Sequence, residues 1–191
     1  MSDSVSRFPV TELEDLPDDL RARVGAIAEK SGFTPNIFRA LGHRPAELRA
    51  FLDYHDALME RPDGLSKAER ELVVVATSGA NHCTYCVVAH GAILRIRAKD
   101  PELSDRVATN PWQVELDERG RAIVDLALAL SQDSALFGDG DLAMAREAGL
   151  TDDEIWDVGA ITALFAMSNR LAHLTDLRPN PEFYLMGRQK R

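Results

Sequence analysis

Apolar residues recur along this chain at intervals of three and four, with almost none of the period-two alternation of half-buried strands, and the pattern predicts helices nearly throughout. Punctuation sets their limits. Pro17 to Lys30 reads as a first amphipathic helix ended by Gly32, and Asn36 to Leu41 as a short one opened by Pro35 and stopped by Gly42. Pro45 suits the first turn of a helix running to Glu60, before Pro62-Asp63-Gly64 breaks the chain. Ser66 with Glu69 has capping-box spacing and launches a helix to about Ala80. Leu72 to Ala76 is apolar on every side, which predicts a central position for that helix. After Gly79-Ala80-Asn81 another helix carries Cys83 onward to about Ala98. Pro101 to Thr109 reads as a short helix and Asp117 to Ser131 as a longer amphipathic one. Thr151 with Glu154 repeats the capping box and starts a helix to about Thr175.

That repetition is a weak internal echo: Leu65-Ser66-x-x-Glu69 and Leu150-Thr151-x-x-Glu154 each open an apolar helix, either as the trace of a duplicated unit or as two common caps. No linker, low-complexity run or charge block divides residues 1–191, so one all-helical domain is expected, with its centre over about 65–98. The net charge of −9 argues against a nucleic-acid partner, since phosphate binding needs clustered Lys and Arg. The one basic cluster, Arg188 to Arg191, reads as a frayed end. The opening lacks a signal-type apolar stretch, and the run Ile155 to Asn169 is too short to span a bilayer, so no membrane association and a cytoplasmic location are expected.

The most specific feature lies between His82 and His90, a stretch holding both cysteines and two of the five histidines. On an α-helix, Cys83, Cys86 and His90 fall within roughly 60° of one another. In a reducing compartment such a pair points to redox or metal chemistry rather than to a permanent staple. The reactive species is the thiolate, which needs a nearby base or a positive field; His90 supplies the first and a helix N-terminus the second. Attack on a hydroperoxide leaves a sulfenic acid, which a second cysteine can condense into a disulfide. Haem attachment needs His where Val87 stands, and iron–sulfur clusters need more cysteines than two. Zinc on Cys83, Cys86 and His90, with His82 or a water, and inert buried cysteines remain open readings. Glu71 interrupts the apolar stretch beyond Ser66; buried, it would need a partner, and an imidazole from the next helix, His90, would satisfy it. A solvated Glu71 is the plainer alternative, and Glu69 is expected to cap.

The stretch Leu65 to Glu71, then Cys83-Thr84-Tyr85-Cys86 and His90, resembles the alkylhydroperoxidase D / carboxymuconolactone decarboxylase family, and within it the uncharacterised peroxidase-related branch. The similarity runs from Phe8-Pro9 to Pro179–Tyr184. The resemblance implies an all-α, AhpD-like orthogonal bundle of duplicated helical units, assembled as a dimer, trimer or hexamer. It implies that Cys86 attacks a small organic hydroperoxide, that Cys83 resolves, and that Glu71 with His90 relays the proton. It implies no cofactor, haem, flavin or metal, and recharging by a dithiol such as a lipoyl protein. One departure stands out: Tyr85 occupies the place of a second motif histidine, and a phenol donates a hydrogen bond to thiolate or peroxide but is a poor base near neutrality.

Further candidates for contact with substrate or thiolate are His82, Asn169 and His173. His82 lies outside the motif and reads more simply as a capping or surface residue. Asn169 and His173, four apart, share a helix face and either approach the cysteines or bond each other. Trp112 and Trp156 are expected to pack, Asp53, His55 and Asp56 to lie on a solvated face, and the segment Arg7 to Leu16 with the Pro-rich close to meet a neighbouring subunit. Two rival functions stand beside the peroxidase: a decarboxylase or lactone-type enzyme of the same family, which has no need of two thiols, and a non-catalytic redox sensor.

Overall fold

The computed structural model describes residues 4–188. Those residues contain no strand and nine α-helices: α1 (Asp18–Ser31), α2 (Asn36–Leu41), α3 (Pro45–Met59), α4 (Lys67–Ala80), α5 (Thr84–Ala98), α6 (Leu103–Thr109), α7 (Glu118–Asp133), α8 (Asp139–Glu147) and α9 (Asp152–Thr175). Helix α8 has no counterpart in the hydrophobic pattern. Only Ala145 of its nine residues is buried, so the helix presents no apolar stripe to read.

Helix α4 is the axis. From Arg70 to Ser78 every residue is buried, and α5, α6, α7 and α9 surround it. Its polar start is held by reciprocal capping: the Ser66 N–H donates to Glu69 Oε2 at 2.6 Å and the Glu69 N–H to Ser66 Oγ at 3.2 Å. Thr151 and Glu154 cap α9 in the same way. The two capping glutamates also share one cation, with Arg119 of α7 donating to Glu69 at 2.6 Å and to Glu154 at 2.5 Å. The echo seen in the sequence is therefore a physical joint between the starts of α4 and α9.

Arg70, also fully buried, turns back to donate to the carbonyls of Arg61 and Asp63, which fixes the loop carrying Gly64 into α4. Gly79 lies against α6 so closely that a Cβ would come within 3.0 Å of the Ala108 backbone. This draws α4 and α6 together just before α4 ends.

The two ends of the chain close over the start of α5. The Arg7 N–H donates to the Thr175 carbonyl at 2.7 Å, the Thr11 N–H to Arg39 at 2.9 Å, and the Arg178 N–H to Val5 at 3.1 Å. Asn180 accepts from the Asn36 N–H and donates to the Thr34 carbonyl, while Phe183 meets Phe33 edge-on at 4.8 Å. The opening segment and the Pro-rich close thus pack on their own chain, because their unpaired backbone groups find partners at the ends of α2 and α9. Of the basic tail, Arg188 pairs with Asp105, and residues 189–191 lie outside the described residues.

Candidate functional site

Helix α4 ends in a Schellman turn that builds the site. Asn81 closes the helix, His82 takes the left-handed conformation (φ 54°), the His82 N–H reaches back to Gly79 O at 3.0 Å and the Cys83 N–H to Ser78 O at 2.9 Å. The next helix begins at once. Cys83 is its N-cap rather than a member of its face: the sulfur accepts the Cys86 N–H at 3.5 Å, taking the place that Ser or Asp fills in most caps. His82, exposed at the turn, serves the backbone and not the sulfurs.

Both sulfurs are buried, each cysteine 1% exposed, and both are free thiols. The Cys86 thiol hydrogen-bonds the Cys83 sulfur, which holds Cys83 below the usual thiol range at about 7 despite its burial. The Cys86 N–H, the neighbouring His173 and the Asn169 amide favour the same ionisation. Cys86 is correspondingly pushed well up, first by that shared hydrogen bond and then by burial. The reduced pair therefore carries its first charge on Cys83. Ser168 of α9 stands 4.0 Å from the Cys86 sulfur.

One turn beyond Cys86, His90 Nδ1 meets Glu71 Oε2 at 2.8 Å. A carboxylate only accepts, so the shared proton rides on Nδ1, and the ring when neutral keeps its lone pair on Nε2. Glu71 is 3% exposed, and this contact is what makes its burial on α4 tolerable. The His90 ring rests edge-on against Phe165 of α9, centroids 4.6 Å apart, with His55 of α3 at 6.5 Å.

His55 is the residue at this site that sequence reasoning left on a solvated face. Its Nδ1 pairs with Asp56 at 3.0 Å, and its ring stacks on Phe51 and faces Phe165. The signal was there: His55 falls in the buried stripe Leu48, Leu52, Met59 of α3.

Tyr85 is turned away from the sulfurs. Its hydroxyl accepts the Ile37 N–H at 3.0 Å, supplying a cap that α2 lacks from its own N-cap, Pro35, and burial pushes the phenol up. Asn169 and His173 do not bond each other; both reach Asn81, Asn169 through its side chain at 3.1 Å and His173 Nε2 through its carbonyl at 2.9 Å. Trp112 and Trp156 are exposed, at 65% and 74%, against the expectation that they pack. Trp112 sits on a short 3-10 turn and Trp156 on the outer face of α9. Among the described residues, no three His, Cys, Asp or Glu side chains gather as a metal site would require, and no helix is long and apolar enough to cross a membrane.

A family profile for the carboxymuconolactone decarboxylase family matches residues 45–108, the span from α3 to α6 that holds the thiols, Glu71 and His90. Over its whole length, the chain is 51% identical to an uncharacterised peroxidase-related protein from Ralstonia eutropha JMP134 described as an alkylhydroperoxidase AhpD core, covering 100% of both chains with a TM-score of 0.96. The chain belongs to the alkylhydroperoxidase D-like, carboxymuconolactone decarboxylase family. A second member of this family with a solved structure, an uncharacterised peroxidase-related protein from Silicibacter sp. TM1040, is 34% identical over 98% of this chain and 100% of its own, with a TM-score of 0.89. The debrominase Bmp8 has the same fold at 16% identity, covering 97% of each chain with a TM-score of 0.79. No curated protein matches the chain.

Proposed function

We propose that this protein is a thiol peroxidase that reduces small organic hydroperoxides through a Cys83–Cys86 disulfide cycle. The observation that carries the proposal is the pair of buried free thiols at a helix start, one turn from a Glu71-held imidazole. Cys83 bears the resting charge, so Cys86 becomes the attacking thiolate when its proton passes along the hydrogen bond to Cys83. The Nε2 lone pair of His90, whose ring Glu71 orients through Nδ1, takes the proton released when the first thiol ionises; the Cys86 sulfur then takes the outer peroxide oxygen, the O–O bond breaks, and His90 returns that proton to the departing alkoxide. Cys83 then gives up its proton and attacks the sulfenic sulfur; hydroxide leaves as water and the disulfide closes. A dithiol, free or carried on a lipoyl-type protein, supplies the two electrons that reopen it. Burial of both sulfurs favours small substrates over bulky ones.

Dimedone trapping tests the assignment of roles. Peroxide-treated Cys83→Ser should hold a trapped sulfenic acid on Cys86 and turn over no further. A trapped sulfenic acid on Cys83 in the Cys86→Ser variant would reverse the two roles, and peroxide turnover undiminished in Cys86→Ser would end the peroxidase reading.

Self-association belongs to the same proposal. Trp156, Met167 and Leu174 stand exposed along one face of α9 at positions that a helix brings into line. The acidic start of α9, Asp152 and Asp153, complements Arg170 near its end, which supports antiparallel pairing of α9 with a second copy. Sedimentation as a dimer or larger is expected, reverting to monomer in Trp156→Glu/Met167→Glu; a monomeric wild type removes this part.

A further inference from the structure

One wall of the site is formed by α9, where the fully buried amide of Asn169 follows Ser168, whose hydroxyl stands 4.0 Å from the Cys86 sulfur. Its orientation follows from what its neighbours can accept. Asn81 Nδ2 donates to the Thr77 carbonyl at 2.9 Å, and a carbonyl only accepts, so the Asn81 amide has one possible facing. The same Nδ2 donates at 3.1 Å to Asn169 Oδ1. With its oxygen so occupied, Asn169 turns Nδ2 inward, where one N–H goes to Ser78 Oγ at 3.1 Å, on the residue whose carbonyl accepts the Cys83 N–H at 2.9 Å, and the second N–H remains. Flipping Asn169 would set two N–H donors against each other at Asn81.

We propose that Asn169 is a catalytic residue of the dithiol site, its inward N–H donating to whichever of Cys83 and Cys86 carries the charge, with Asn81 as the positioning residue that fixes its direction. This deepens the peroxidase reading and rests on the same thiols. The two sulfurs exchange the charge between attack and closure of the disulfide, and one donor reaching both serves both moments. Ionisation of each thiol is favoured by this amide, whereas the Ser168 hydroxyl favours that of Cys86 and the neighbouring His173 that of Cys83. In a buried, low-dielectric setting a hydrogen bond to a sulfur anion is far stronger than one to a thiol, so the contact acts on reactivity more than on folding.

Thiolate absorbance near 240 nm, followed against pH on the fully reduced full-length protein with Cys83→Ser/Cys86→Ser as blank, tests the proposal. Asn169→Leu keeps the bulk and removes the donor; its first midpoint should rise by about one pH unit, cutting thiolate at pH 7 about fivefold. Asn169→Asp, which adds a negative charge, should raise it further. Asn81→Ala leaves Asn169 in place without its anchor and should give a smaller rise. A merely structural amide would lower the melting temperature and leave the midpoint alone. A midpoint unchanged from wild type in folded Asn169→Leu overturns the proposal; if that variant does not fold, an unchanged midpoint in Asn81→Ala overturns it instead. The titration needs no peroxide. A shifted midpoint in a protein that turns over no peroxide would keep this inference and sink the peroxidase reading, and an unshifted midpoint in an active peroxidase would do the reverse.

Discussion

The run from Ser66 and the run from Thr151 start with the same reciprocal cap, and both capping glutamates hold Arg119, yet the first stops at Ala80 and the second continues for 24 residues. From its twelfth residue α9 reads Ala-Leu-Phe-Ala, a run with no competing backbone partner. At the matching depth α4 reads Ser-Gly-Ala-Asn. Gly79 is demanded by the approach of Ala108, and the Asn81 side chain takes the Thr77 carbonyl. The break, and not the helix, builds the candidate site. It places a thiol at the N-cap of α5, where backbone N–H groups favour its anion, and it leaves α9 whole to form the opposite wall with Phe165, Ser168 and Asn169. The Bmp8 debrominase has this fold at 16% identity, so the scaffold alone does not select a reaction.

Four perturbations probe the contrast between the broken and the continuous run. Cys86→Ser should have the largest effect, removing peroxide turnover altogether in a coupled assay while leaving helical content unchanged. Glu71→Gln keeps the size of the side chain but loses the charge that orients His90; turnover should fall by about 10²-fold, the scale of a disabled proton relay, with a flattened pH–rate profile. Equal rates in Gln and Glu proteins would remove Glu71 from the mechanism.

Arg119→Met cuts the joint where the two runs begin alike. Chemical denaturation should show a loss of about 1–2 kcal/mol, below the figure for a fully buried pair because the site is partly solvated. The pH dependence supplies a second reading. The Arg119 hydrogen bond lowers the Glu154 carboxyl from 4.5 to about 2, so its contribution to stability is complete above pH 4.5 and lost as pH falls towards 2. Acid unfolding in that window should lose part of its steepness in Arg119→Met.

The smallest effect acts on the break itself. His82→Gly relieves the left-handed strain at the Schellman turn and should raise stability by about 1 kcal/mol, visible as a higher melting temperature. Peroxide turnover should be unaltered, because the exposed ring does not serve the sulfurs; a drop would return His82 to the site.

Eight of the nine helices were legible in the chain, because caps, prolines and three-to-four spacing act locally and each declares its own helix. The same locality gave the His90–Glu71 contact: a carboxylate in an apolar helix needs a partner, and an imidazole on the next helix was at hand. Helix α8 escaped for want of a buried stripe. The rest was decided only when helices met. Tyr85 was drawn to the uncapped start of α2, His55 was brought beside His90 by the packing of α3 on α9, and Trp112 and Trp156 were left outside although their bulk suggested the core. Which cysteine carries the first charge also lies beyond spacing. It depends on a thiol at the cap, a hydrogen bond between the two sulfurs, and an amide arriving from α9. Local sequence sets where a helix begins and ends; which polar groups share a dry interior is set by the assembled helices, since each such group must find its partner across them.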